Sequence, residues 1–201
     1  MTVRPSPDLT PLDRIWLTEA VRLREEHAGP LDDDEANRQA RTQGGDLPAL
    51  IERAQHDDDA DVRRAATGAL VYAAPEQVGP ALIGILRDEH WQVRVEAAVS
   101  IGKLDYQAAL QPLVEATHDS FWQVREKAVD ALGKLGAVGA IPALGVCARD
   151  PMSNLRKAAI GALGAIAHND GRPFVELAMD DPDPDVRKLA RWAMSKLDAA
   201  A

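Results

Sequence analysis

The stretch DEHWQVRVEAAVSIGKL at residues 88–104 returns at residues 119–136 as DSFWQVREKAVDALGKLG, the same pattern displaced by 31 positions. The displacement holds without slippage through five copies. An acidic column runs Asp57, Asp88, Asp119, Asp150 and Asp181, and an aliphatic column runs Val62, Val93, Val124, Leu155 and Val186. Arg63, Arg94, Arg125, Arg156 and Arg187 follow directly. A fixed period of this length marks a stacked repeat, whose units are too small to bury an apolar face alone and bury it against their neighbours.

With the aliphatic residue of each copy as position 0, position +4 is Ala66, Ala97, Ala128, Ala159 and Ala190. Position +8 is Leu70, Ile101, Leu132, Leu163 and Met194, and position +11 is Ala73, Leu104, Leu135, Ile166 and Leu197. Apolar residues at 0, +4, +8 and +11 form one stripe of an α-helix. The unvarying small residue implies that another helix passes close by. Upstream of each such helix B, apolar runs such as Leu82-Ile83 and Leu113-Val114 begin near Pro80, Pro112, Pro142 and Pro173. Proline suits the first turn of a helix, so each run predicts a short helix A.

Further columns give finer expectations. Gly102, Gly133 and Gly164 at +9 would allow backbones to approach, and Gly136 is placed to end a helix in a left-handed cap. Asp59 and Asp183 are placed as N-caps of helix B. Position +5 is Thr67, Ala98, Val129 and Ile160 but then Arg191, as expected if it faces the next repeat and the fifth copy ends the stack.

The fold predicted is all-α, a right-handed α-solenoid of five stacked helix pairs with an N-terminal helical cap. Residues 47–198 hold the five repeats, and residues 199–201 form a tail. Residues 1–46 contribute an amphipathic helix over 12–27, a turn at Gly29-Pro30, a helix from Asp33 to Arg41 and a break at Gly44-Gly45. They read as a cap over the first repeat, or as a separate docking element.

The bulk properties narrow the function. A net charge of −9 opposes general nucleic-acid binding, which needs a basic face for phosphates. No apolar run reaches the roughly 20 residues that span a bilayer, and Met1 to Pro11 does not resemble a signal peptide. One cysteine, Cys147, rules out an internal disulfide and fits a reducing compartment. A soluble, cytoplasmic protein without membrane insertion is expected.

The segments at residues 88–104 and 119–136, with DDPDPDVRKLARWAMSKL at 180–197, resemble HEAT repeats, chiefly the short variety of phycobilin lyase subunits and other bacterial proteins. The resemblance covers residues 47–198 and implies the fold more than the activity, because solenoids host many functions. Deoxyhypusine hydroxylases of this class bind iron through His-Glu dipeptides, whereas this chain has only Glu26-His27 and Glu89-His90 in reverse order. HEAT-like DNA glycosylases need a basic surface that the acidic balance does not supply. Ankyrin and tetratricopeptide repeats are disfavoured by their turn motif, period and Trp/Tyr pattern.

Candidate functional residues lie where the copies depart from one another. The column at −3 runs Asp59, His90, Phe121, Met152, Asp183, and that at −2 runs Ala60, Trp91, Trp122, Ser153, Pro184. Large apolar side chains in the central copies suit a partner contact, since interface cores are enriched in Trp, Phe and Met. Trp91 and Trp122 read equally as side chains folded over the corner between helices A and B. Outward positions of helix B, including Glu96, Lys103, Lys127, Asp130 and Lys134, offer mixed charge suited either to a polar protein groove or to a solvated face. The Asp and Arg columns read as a ladder tying successive turns together. No i, i+4 histidine pair or calcium-loop spacing is present, so no metal, cofactor or catalytic residue is assigned. The sequence thus predicts a non-catalytic scaffold or adaptor that binds another protein. The alternative is a subunit of a phycobilin-type chromophore lyase or isomerase.

Overall fold

The computed structural model describes residues 47–200; the cap expected over residues 1–46 lies outside the described residues. Ten α-helices follow in order: α1 Leu47–His56, α2 Ala60–Ala69, α3 Pro75–Ile85, α4 Trp91–Leu104 and α5 Leu110–Ala116. They continue as α6 Trp122–Lys134, α7 Ile141–Cys147, α8 Ser153–Ile166, α9 Arg172–Leu177 and α10 Pro184–Ala200. Odd-numbered helices are the A helices and even-numbered ones the B helices. From α4 onward each B helix packs mainly on its neighbours in the same layer, α4 on α2 and α6, α8 on α6 and α10, while α2 is shared between α1 and α4. The result is an all-α solenoid whose core runs along the stack instead of closing around a centre.

The predicted stripe is buried. Leu70, Ile101, Leu132 and Leu163 at +8 and all five alanines at +4 are closed off from solvent. Each large aliphatic side chain so buried stabilises the fold by roughly 2 kcal/mol. Thr67, Ala98, Val129 and Ile160 at +5 are fully covered while Arg191 is exposed, which fixes the direction of stacking. The +9 glycines permit this closeness: a Cβ on Gly102, Gly133 or Gly164 would come within 3.1, 2.8 and 2.9 Å of the Cα of Ala131, Ala162 and Ala193. Small residues thus face small residues at every B-to-B crossing from the second repeat onward.

Two details differ from the sequence expectation. Pro80 lies inside α3 instead of opening it. Pro142 and Pro173, its equivalents, each sit at the start of a helix that follows a short 3-10 turn, Val138–Ala140 or Asn169–Gly171. In the second repeat that turn has merged into the helix, and its first bond is still of 3-10 type, from Gln77 N–H to the Ala74 carbonyl at 2.9 Å. Position +12, meanwhile, is left-handed three times. Gly136 has φ +59°, as anticipated, but Asp105 and Ala167 adopt φ 51° at the same place in α4 and α8. The stack imposes this reversal whether or not glycine is there to ease it.

The Asp and Arg columns form a ladder. Arg63 donates from Nε and Nη2 to both carboxylate oxygens of Asp88, at 2.7 and 3.0 Å, and from Nη1 to its own turn's Asp57 carbonyl at 2.7 Å. Arg94 repeats this with Asp119 at 2.7 and 2.9 Å, and Arg156 with Asp181 at 2.7 and 2.9 Å. The aspartates also accept from the N–H two residues on, as Asp88 does from His90 and Asp119 from Phe121, both at 2.8 Å. One rung is open. Arg125 Nη2 is 3.7 Å from Asp150, and its Nε is buried without a partner.

Burial alone would raise the carboxyls of Asp88 and Asp119, but the facing guanidinium and the turn N–H outweigh it and hold both below the ordinary range. For Asp181 the hydrogen bond from Arg156 leads, with the same direction. A carboxyl depressed in the fold stabilises fully above the unfolded value of ~3.9 and ceases to do so as pH falls toward the folded value.

Four outcomes follow for stability. Arg94→Ala should lower stability by about 3 kcal/mol, because it leaves Asp119 sheltered and unpaired. Arg125→Ala should cost nearer 1 kcal/mol, the scale of its carbonyl bonds, and equal losses in urea melts would refute the open rung. Melting temperature should drop progressively as pH is lowered below about 5, and Arg94→Ala should flatten that dependence. Ala167→Gly should raise stability by about 1 kcal/mol by relieving the left-handed residue; a loss would show that Ala167 is unstrained.

Candidate protein-binding site

The turn between helices A and B is shaped by the Asp of each copy. Because its carboxylate holds the N–H of the −3 residue, that residue sits extended at the N-cap, with φ near −90° and ψ near 120° at His90, Phe121 and Met152. None of these three caps its helix with a side chain, whereas Asp59 and Asp183 accept from the N–H of Asp61 and Asp185 at 2.8 Å. The exchange of capping for bulk in the central copies is therefore real.

The bulk is partly employed in the ladder. Arg63 Nη2 lies 3.0 Å from His90 Nδ1, and the Arg94 guanidinium lies over the Phe121 ring at 5.7 Å. Phe121 also stacks on Trp91, with centroids 5.7 Å apart and planes 13° from parallel. Despite both contacts Phe121 remains 42% exposed. Trp91 and Met152 are half-buried against the core, and Trp122 is half-buried without a ring partner among the described residues. The structure thus joins Trp91, Phe121 and Arg94 into one unit that bridges the second and third repeats. Trp122 and Met152 occupy the same positions one repeat later. Sequence reasoning placed these side chains on one edge but missed the guanidinium that holds the exposed ring.

On the outer side of the B helices, Glu96 lies across Gly68, its Oε1 3.0 Å from where a Cβ would stand. Lys127 pairs with Asp130 at 3.1 Å and approaches Glu126 at 4.0 Å, while Lys103 and Lys134 are exposed. Asp130, Lys134, Lys157 and Leu189 wall a trough of about 350 Å³. Its floor is Gly133, Ala158, Gly161, Ala162 and Ala165, so three B helices contribute. A second hollow, of about 400 Å³, adjoins it through Leu189 and reaches Lys188 and Trp192. Leu189 and Trp192 were not among the predicted site residues. The signal was present at position +6, which runs Gly68, Val99, Asp130, Gly161 and then Trp192, but the fifth copy was read only as a cap.

Cys147 is buried, and desolvation pushes its thiol above the ordinary value, which suits a core residue and not a nucleophile. No helix among the described residues is long and apolar enough to cross a membrane.

The sequence matches the HEAT-repeat family over residues 47–121 and 112–195, and the chain belongs to that family. Among solved structures, an engineered protein superposes with a TM-score of 0.66 at 19% identity, covering 92% of this chain and 91% of that one. A designed armadillo repeat protein in complex with the peptide (KR)4 gives 0.64 at 23% identity, covering 95% of both. The complex of CpcE and CpcF of phycocyanin lyase from Nostoc sp. PCC7120 gives 0.62 at 21% identity, covering 74% of this chain and 97% of that chain. No curated protein matches the sequence significantly.

Proposed function

We propose that this HEAT-repeat chain is a non-catalytic scaffold or adaptor, a cytoplasmic assembly subunit that binds another protein through its aromatic turn edge and its helix B face. The observation that carries this is the Phe121 ring, held against Trp91 and Arg94 yet open to solvent. An exposed ring that is already ordered loses little freedom when a partner covers it, which is the economy of an interface anchor. The designed armadillo repeat protein of similar fold is in complex with a peptide, which supports this reading. The acidic balance disfavours nucleic acid as the partner.

The second reading, a subunit of a phycobilin-type lyase or isomerase, draws on the overlay with the CpcE and CpcF complex. Coexpression with phycocyanin subunits and bilin would give a coloured adduct under that reading and none under the first.

Phe121→Ala should leave the fold intact and weaken partner binding by about 2 kcal/mol, the scale of an interface anchor. Crosslinking mass spectrometry in the native host identifies the partner, and titration with it supplies the affinity. Undiminished affinity in the Phe121→Ala and Trp122→Ala variants would refute the turn edge as the contact.

A further inference from the structure

The trough along α6, α8 and α10 carries a charge opposite to that of the protein as a whole. Lys134 and Lys188 pair with no carboxylate among the described residues, and Lys157 has only Asp185 at 4.0 Å. Asp130 on the same wall is already taken by Lys127 at 3.1 Å. Lys196 Nζ lies over the Trp192 ring at 5.9 Å instead of meeting an acid. The cations around the trough are therefore less neutralised than the anions.

Its shape is equally specific. Beyond Lys157, the residues Ala158, Gly161 and Ala165 leave this part of α8 without long side chains, while Leu189 and the 41% exposed Trp192 rise from α10. Trp192 is held in place, since a Cβ on Gly164 would stand 2.6 Å from its ring. Neighbouring helix axes lie roughly 8–10 Å apart. An extended chain in the polyproline II form advances about 3.1 Å per residue and returns each third side chain to the same side. Every third residue of such a chain would meet a new B helix.

We propose that this trough binds an extended acidic segment of a partner protein. Lys134, Lys157 and Lys188 meet its carboxylates, and an aliphatic side chain rests against Leu189 and Trp192. The apolar wall of Leu189 and Trp192 suits a peptide side chain better than a phosphate backbone. The inference rests on the scaffold reading and adds the chemistry of what is held.

The test uses fluorescence anisotropy on the full chain with a labelled peptide of four Glu-Pro-Leu repeats. Comparators carry Lys-Pro-Leu or Glu-Pro-Ser repeats, or are oligo-dT. The acidic, leucine-bearing peptide should bind, its lysine counterpart should not, and the serine version should bind more weakly. Lys134→Glu combined with Lys188→Glu should weaken binding at least about tenfold, because each reversal replaces attraction with repulsion. Trp192→Ala should erase the preference for leucine over serine. Should charge reversal unfold the chain, Lys134→Gln with Lys188→Gln supplies the same comparison. Absence of acidic-peptide binding, indifference to the lysine variants, or tighter binding of oligo-dT would each overturn the proposal. Loss of this proposal alone would leave the native partner still sensitive to Phe121→Ala. Failure of the scaffold reading would remove that sensitivity.

Discussion

Each arginine at the start of a B helix that is followed by another repeat has two turns to satisfy at once, accepting no hydrogen bond and offering a planar fork that fits a carboxylate. Arg63, Arg94 and Arg156 do so with side chains only 6–13% exposed, reaching back to their own turn's carbonyl and forward to the next repeat's aspartate. The aspartate in turn fixes the N–H of the −3 residue. One bidentate pair therefore sets the spacing between repeats, the path of the A-to-B turn and the place where the next B helix begins. Sheltered pairs of this kind add less net stability than their short distances suggest, because both charges give up water. What they add is register. A shifted repeat would strand the guanidinium away from its carboxylate.

The same pair constrains the column that the sequence offers as most variable. Residue −3 lies against the arginine of the preceding repeat, so it is chosen partly for what it gives a guanidinium. His90 gives a nitrogen, Phe121 a ring face, and Asp183 a nearby negative charge that helps to raise the Arg156 pKa. Met152 offers only a weak thioether acceptor and no ring. Its rung is the one in which Arg125 has slipped to 3.7 Å from Asp150 and keeps a buried Nε without a partner. Variation at this edge therefore includes support of the ladder.

Much of the fold was legible because the solenoid repeats its environment. A residue at +4 or +9 meets the same neighbour in each copy, so Ala97 and Gly133 could be assigned to close crossings from the columns alone. The left-handed residues Asp105 and Ala167 were not legible, since the conformation is imposed by the path to the next helix and neither side chain announces it. Pro80 misled because Pro75 already stands at the first position of α3 and opens the helix there. Trp192 was visible as a letter but not as a wall of the trough, because its placement depends on how its ring packs over Gly164 of α8.

Net charge was the bulk property least faithful to the surface. Many of the acidic residues behind the value of −9 cluster at the turns, where Asp88, Asp119 and Asp181 are each neutralised by an arginine and a backbone N–H. Carboxylates also suit helix starts and lysines suit helix ends, because the backbone dipole favours each there. A stack of parallel B helices repeats that segregation along its length, with Asp59 and Asp183 at the turn side and Lys103, Lys134 and Lys196 near the opposite ends. Lys134 in the last turn of α6 follows that rule, whereas Lys157 and Lys188 stand near the starts of α8 and α10, so ammonium groups border the apolar floor from both directions. An acidic chain can thus leave lysines unpaired around a groove because the repeat has already committed many of its aspartates to the turns.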